Sequence, residues 1–296
     1  MPTNEQRREA AKRKLQRQLE RRAERARRRK QLTIAGSVIA AIVVVGAITS
    51  VVLLTKGDDS TTNTASAETT TPAQDVPAIP MPTARATALP ATVKCNYPPG
   101  GAPAAKPVQP PATDNIATSP ATIDVSLDTS QGEIGLKLNN AESPCTVNNF
   151  VSLAKQGFFD NTPCHRLTNS ADLKVLQCGD PTGKGNGGPG YQFANEFPTD
   201  QYSPEDPNGQ KAMQYKRGII AMANAGPDTN GSQFFLVYGD SKLPPQYTVF
   251  GTIDNTGLAT LDKIAKGGIA AAAPGAPAGE DGKPVLPVDI KSVKVS

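Results

Sequence analysis

Four short stretches of this chain hold the side chains that could do chemistry. Cys164-His165-Arg166-Leu167 presents a cation beside the chain's only histidine. Leu176-Gln177-Cys178-Gly179-Asp180-Pro181-Thr182-Gly183 runs on to Gly188-Pro189-Gly190-Tyr191 and supplies an amide followed by a glycine-rich loop. Arg217-Gly218-Ile219-Ile220-Ala221-Met222-Ala223-Asn224-Ala225-Gly226-Pro227 continues through Thr229-Asn230-Gly231-Ser232-Gln233-Phe234-Phe235, and Tyr247-Thr248-Val249-Phe250-Gly251 comes after it. An arginine is permanently charged and carries five fixed N–H donors, so it suits hydrogen-bond stabilisation and not proton transfer. His165 invites an acid–base role, but on a strand it points away from Arg166 and reads as structural.

Other patterns exclude chemistry. Cys95, Cys145, Cys164 and Cys178 show no C-x-x-C spacing, and one histidine is too few for a zinc site, so no metal is expected. Four cysteines allow three disulfide pairings, or could stand as buried thiols. Gly183-x-Gly185-x-x-Gly188 has the form of a dinucleotide fingerprint, but Pro189-Gly190 forbids the helix that must come next, so it reads as a loop. Asn230-Gly231-Ser232 has the form of a glycosylation sequon and reads as a tight turn.

The elements that must carry these residues are mostly strands. Ile123, Val125 and Leu127 alternate with polar residues, Ser130-Gln131-Gly132 turns the chain, and Ile134, Leu136 and Leu138 alternate again, as in a hairpin. Pro144 opens a helix whose apolar face is Val147, Phe150, Val151 and Ala154, with Gly157 ending it. Further strands are predicted at 163–167, 175–178, 218–223, 233–238 and 248–253. Leu258, Leu261 and Ile264 mark a second helix ending at Gly267-Gly268, and a closing strand lies near 288–295. Eight short strands and two short helices predict a mainly β fold, an antiparallel barrel closed on itself, over residues 121–296.

The region before it divides by composition. Residues 1–31 hold 13 Lys or Arg against 4 Glu, a basic head on an otherwise mildly acidic chain. No aromatics interleave with that charge, so nucleic acid is not the expected partner. Residues 32–54 form an uncharged run long enough to cross a ~30 Å hydrocarbon core. The basic block before it places the N-terminus in the cytoplasm and residues 55–296 outside. The run is longer than the h-region of a signal peptide and lacks a good cleavage site. An uncleaved single-pass anchor is therefore expected, with the lipid bilayer as a partner through residues 32–54. Residues 55–120, rich in Thr, Ala and Pro, read as a disordered linker interrupted at Cys95-Asn96-Tyr97.

The stretches around Arg166, Gln177, Met222 to Phe235 and Tyr247 to Gly251 resemble, in order and approximate spacing, the cyclophilin-type peptidyl-prolyl cis-trans isomerases. The resemblance spans about residues 122–296, and the tethered layout is similar to that of membrane-anchored bacterial cyclophilins. It implies an eight-stranded barrel with a shallow peptide groove on its outer face and no cofactor. It implies that Arg166 hydrogen-bonds the substrate proline, with Gln177 beside it as the second catalytic residue. Met222, Ala223, Asn224 and Ala225 then form the edge holding the peptide backbone. Phe235 is the pocket floor, Gln233 lines the groove, and Leu173 and Val175 supply further walls.

Departures from the family pattern are visible. Three extra residues separate Arg166 from Gln177, so the loop 168–172 is expected to reshape the rim. The chain has no Trp; Leu243 takes the place of the groove tryptophan, which implies weak cyclosporin binding, and Tyr247 stands where a histidine is common. Cys164 and Cys178 fall on strands that the resemblance pairs, which implies a Cys164–Cys178 bridge and leaves Cys95–Cys145 to pin the linker. The expected function is rotation of X-Pro bonds in unfolded or flexible exported proteins by a monomeric domain. The alternative is a non-catalytic Pro-peptide-binding chaperone or adaptor. A third reading makes the basic head a recruiter of cytoplasmic partners.

Overall fold

A computed structural model describes residues 78–203, 205–271 and 278–296. The basic segment 1–31 and the apolar run 32–54 lie outside them. Among the described residues no helix is long and apolar enough to cross a membrane.

The hairpin reads as expected. β4 (Thr122–Thr129) pairs with β5 (Gly132–Asn139) from Thr122↔Asn139 to Thr129↔Gly132, and Ser130 and Gln131 make the turn. Its inward residues Val125, Leu127, Ile134, Leu136 and Leu138 are all at most 3% exposed, the half-buried alternation that period 2 requires. Later strands are β6 (Thr162–Pro163), β7 (Arg166–Thr168), β8 (Lys174–Cys178), β9 (Met213–Tyr215), β10 (Ile219–Met222) and β11 (Phe234–Gly239). The set ends with β12 (Ser241–Leu243), β13 (Val249–Ile253), β14 (Asp281–Gly282) and β15 (Asp289–Val295).

Ten of these form one sheet in the order β14-β7-β8-β11-β10-β13-β5-β4-β15-β6. The expected ring of eight strands is therefore corrected to an open half-barrel. The expected strand 163–167 is broken in two. Thr162 and Pro163 pair with β15, while Arg166 and Leu167 pair with β8. Pro163 has no N–H to extend a ladder, and the N–H of Cys164 is taken by Val288 O at 2.7 Å. So β6 and β14 remain the two ends of the sheet.

Two helices close the core. α1 (Pro144–Lys155) buries Val147, Phe150, Leu153 and Ala154, and Phe150 stacks against Phe159, Phe234 and Phe250 at 4.9 to 5.6 Å between ring centroids. Its N-cap, Ser143, makes no side-chain cap. The buried carboxylate of Glu196 does so instead, accepting from the N–H of Cys145 and Thr146 and from the Thr146 hydroxyl at 2.7 to 3.0 Å. α2 (Asn255–Gly267) is capped by Asp254, which accepts from Gly257 N, and ends at Gly268 with φ of 80°.

Of the segment 55–120, expected to be a disordered linker, residues 78–120 are ordered and packed, and 55–77 lie outside the described residues. β1 (Ile79–Pro80) adds in parallel to β9, and β2 (Thr92–Val93) pairs with β3 (Ile116–Ala117). Arg85 donates from Nε to Glu142 O at 2.9 Å and pairs with Asp200 at 2.7 Å. Tyr97, 6% exposed, packs edge-on against Tyr191 and Phe193 and donates to Cys145 O at 2.7 Å. A few anchors spaced along a Pro-rich arm thus supply what its mean composition lacks. Cys95 joins Cys145 and Cys164 joins Cys178, the pairings that the resemblance implied.

Candidate functional site

The site grows from a single row across the sheet. Arg166 of β7 lies opposite Gln177 of β8, Gln177 opposite Phe235 of β11, and Phe235 opposite Ala221 of β10. Directly opposed residues project to the same face of a sheet, so these four share one face. Their neighbours Leu167, Leu176, Leu236 and Ile220 face the main core. Strand alternation alone therefore delivers a cation, an amide and an aromatic ring to the outer surface.

That outer face carries its own small apolar cluster. Val175, Ala221, Phe235 and Val237 pack with Met213 and Tyr215 of β9. Ile79, Leu173, Ala223, Leu243 and Tyr247 pack around them. Phe235 is 5% exposed and meets Tyr247 edge-on at 5.7 Å and Tyr215 at 6.4 Å. Leu173, Val175, Leu243 and Tyr247, all expected at the pocket, are thus gathered around Phe235. Met222 is not. One step along β10 from Ala221, it faces inward and is 1% exposed in the main core, so period 2 removes it from the groove edge.

A polar chain runs through the row. The Arg166 Nε and Nη2 donate to both carboxylate oxygens of Asp281 at 2.8 and 2.7 Å. Its Nη1 donates to Gln177 Oε1 at 3.1 Å. The Gln177 amide donates to Gln233 Oε1 at 2.9 Å, and the Gln233 amide donates to Gly187 O at 3.0 Å. Three of the five guanidinium N–H groups are so engaged, leaving one on each terminal nitrogen. The hydrogen bonds from Arg166 hold the Asp281 carboxyl below the usual carboxylate range.

Beside the row lies a cleft of about 230 Å³. Gln177, Gln233 and Ala223-Asn224-Ala225 line it, as do Gly100-Gly101-Ala102-Pro103 of the N-terminal arm. Arg166 and Phe235 are not among its walls; Gln177, opposite both in register, is, and Ala223 lines the cleft while packing on the apolar cluster. Asn224 is fixed by donating to Gln246 O at 2.9 Å. The arm is held by Gly100 N donating to Gly190 O at 2.9 Å and Ala105 N donating to Gly188 O at 2.8 Å. The arm's part in the cleft could not be read from a Pro- and Ala-rich stretch, and nothing in the sequence marked Asp281. The loop 168–172 is not among the walls of this cleft; it is tied to its neighbours by Asn169 N donating to Glu280 O and Lys242 N donating to Asp172 O, each at 2.8 Å.

The glycine-rich loop is moulded on Asp180, which is 0% exposed. Its carboxylate accepts from the N–H of Thr182, Gly185, Asn186 and Gly187 and from the Thr182 hydroxyl at 2.7 to 3.1 Å. A Cβ at Gly187 would lie 2.1 Å from Asp180 Oδ1, so the close approach needs glycine there. Burial pushes the Asp180 pKa up, but the backbone and hydroxyl donors outweigh it, and the group stays below the usual carboxylate range. A depressed folded pKa contributes stability above the unfolded value of about 3.8 and loses it as pH falls through the folded value. Asp180→Asn should cost about 2–3 kcal/mol at pH 7, because an amide N–H would face those donors. Denaturant melts should also show less loss of stability below pH 3.8 than in the parent. Hydrogen exchange confined to 182–188 should quicken, since Gly187 O is the acceptor for Gln233.

His165, expected on a strand, lies in the break between β6 and β7. Burial pushes its pKa below the usual histidine range, and neither ring nitrogen has a partner among the described residues. Gly185 leaves room for its ring, since a Cβ there would touch Cδ2 and Nε2 at 3.4 Å. Asn230 is 0% exposed and donates to Ala194 O and Asn195 Oδ1 at 3.1 and 2.7 Å, so the sequon is a buried bridge between loops. Among the described residues no group of three His, Cys, Asp or Glu side chains could hold a metal ion.

The family model described as "Cyclophilin type peptidyl-prolyl cis-trans isomerase/CLD" matches residues 122–295. A probable peptidyl-prolyl cis-trans isomerase B of Mycobacterium leprae is 58% identical over 304 residues, with 100% of each chain covered. Its namesake in Mycobacterium tuberculosis is 64% identical over 199 residues, 67% of this chain and 63% of that protein. A solved cyclophilin-type isomerase from Cryptosporidium parvum aligns at a TM-score of 0.44 and 30% identity, covering 59% of this chain and 98% of the other.

Proposed function

The chain belongs to the cyclophilin-type peptidyl-prolyl cis-trans isomerases, and from that premise we propose how its site works and where. Rotation about an X-Pro bond faces ~18–20 kcal/mol because the amide is conjugated. The planar amide is favoured by water and by any site that binds both states alike, so a catalyst must bind the twisted state better. Arg166 does this by donating its remaining N–H groups to the substrate at the proline. Twisting localises the nitrogen lone pair, and a pre-aimed donor strengthens as that happens. The apolar cluster around Phe235 grips the proline ring, with Leu173, Val175, Leu243 and Tyr247 as its walls. Ala223, Asn224 and Ala225, which line the cleft together with the arm, hold the peptide backbone on the side of the preceding residues. No bond breaks, so neither His165 nor a cofactor is required.

The observation that carries this mechanism is the row Arg166, Gln177, Phe235, which joins donor, relay and apolar floor on one face. The test is line-shape or exchange NMR on an Ala-Pro-containing peptide with the full chain. Interconversion that takes ~10–100 s unaided should shorten to milliseconds. Peptide shifts without faster exchange would hand the site to the adaptor reading.

The setting is also proposed. The apolar run 32–54 anchors a monomer in the cell membrane, with the basic head in the cytoplasm and the isomerase domain outside, acting on exported or cell-envelope proteins. Two cystine bridges, one within the domain and one tying the arm to it, support an oxidising compartment. Protease added to intact spheroplasts should digest residues 78–296 and spare the head. Protection of the domain would overturn the orientation.

A further inference from the structure

The carboxylate that grips Arg166 does not come from the row itself. Asp281 lies on β14, whose register sets Asp281 opposite Thr168 and Gly282 opposite Leu167. Thr168 and Arg166 are two apart on β7 and share a face, so Asp281 is the diagonal neighbour of Arg166, within reach of a long side chain. The segment is stapled on both sides. Asn169 N donates to Glu280 O and Ala270 N donates to Lys283 O, each at 2.8 Å, and Val285 N donates to Gly268 O at 2.9 Å. The carboxylate is therefore delivered by a fixed ladder, and both its oxygens are occupied by one guanidinium.

We propose that Asp281 is a positioning residue for the isomerisation, locking the Arg166 guanidinium in the plane that aims its remaining donors at the substrate. The inference rests on the catalytic reading of Arg166. An arginine side chain has four rotatable torsions and loses much rotamer freedom when fixed. A bidentate carboxylate on Nε and Nη2, with Gln177 on Nη1, removes that freedom before substrate arrives, so no ordering is left for the transition state to impose. The opposing effect is partial neutralisation of the arginine by a nearby anion. Both side chains are open to solvent, at 39% and 55% exposure, so the field effect is screened and the geometric effect wins. For the same reason the pair adds little to folding stability, as exposed ion pairs generally do.

The experiment compares full-length Asp281→Ala, Asp281→Asn, Asp281→Glu, Arg166→Ala and the Asp281→Ala/Arg166→Ala double variant in the peptide exchange assay. Asp281→Ala should lower kcat about tenfold with little change in KM, and Asp281→Asn about fivefold. Asp281→Glu should restore activity to within about twofold, since it keeps both oxygens. The Tm should hold in all three, and the Arg166 Nε–Hε NMR signal, sharp in the parent, should broaden or exchange away in the Ala variant. In the double variant the loss should equal that of Arg166→Ala alone. Activity of Asp281→Ala equal to or above the parent, with Arg166→Ala impaired, overturns the positioning role and leaves the mechanism standing. Arg166→Ala at parental activity overturns both.

Discussion

Arg166→Ala is expected to lower kcat/KM for prolyl isomerisation by about 10²- to 10³-fold, the ~2.7–4 kcal/mol that one pre-aimed donor contributes to a transition state. The loss should fall in kcat, because the donor matters most when the amide has twisted and its nitrogen has become a better acceptor. Folding should survive. The guanidinium is on the surface of β7 and its strand partners are set by backbone register, not by the side chain. Arg166→Lys is informative beside it. Lysine keeps the charge but has one donor head, which cannot grip two Asp281 oxygens and Gln177 Oε1 while leaving N–H groups for substrate. It should therefore behave much more like Ala than like the parent. A lysine variant near parental activity would mean that charge alone suffices, and the directional mechanism would fall.

What the sequence disclosed obeys a physical divide. The row Arg166, Gln177, Phe235 was expected only because its residues sit in the stretches that resemble the cyclophilin family; the period of two in the hydrophobic pattern marked the strands under them, not their roles. The hairpin, both helices and their glycine stops were legible in the local pattern of residues. Met222 shows the limit of reading a motif as a block: adjacent residues of one strand face opposite sides, and Met222 belongs to the core while Ala221 and Ala223 belong to the outer cluster. Closure of the barrel is not legible locally because it depends on whether one short segment keeps its ladder past Pro163. Asp281 and the arm are hidden for a different reason. Each acts through a contact across a long stretch of chain, a diagonal pair on an added two-residue strand and a groove wall made by a Pro-rich segment. Composition averages such anchors away. Arg85, Cys95, Tyr97 and Lys106 are few among many Thr, Ala and Pro, yet each makes a tie of its own.

The Cys95→Ser/Cys145→Ser variant should show how far the arm depends on the strongest of those ties. The bridge closes a loop with a sequence separation of 50, and the chain-entropy relation gives about 4 kcal/mol for a loop of that size. The other bridge spans a separation of only 14 and joins the segment just before β7 to the end of β8, strands already paired at Arg166↔Gln177, so its removal should cost less, about 3 kcal/mol at most. The loss at Cys95–Cys145 should appear first as local opening, since the arm is thin and can leave without dismantling the sheet. Limited proteolysis should then cut within residues 78–120 while a core from about 121 onward persists. Once the arm lifts, Gly100–Pro103 no longer line the cleft. KM should rise several-fold for peptides that reach several residues before the proline, while kcat on a minimal peptide stays near parental, because Arg166, Gln177 and Phe235 lie on strands the arm does not build. If instead the double variant keeps its arm protected and its KM unchanged, Arg85, Tyr97 and Lys106 hold the arm by themselves, and the bridge serves only to restrict the unfolded chain.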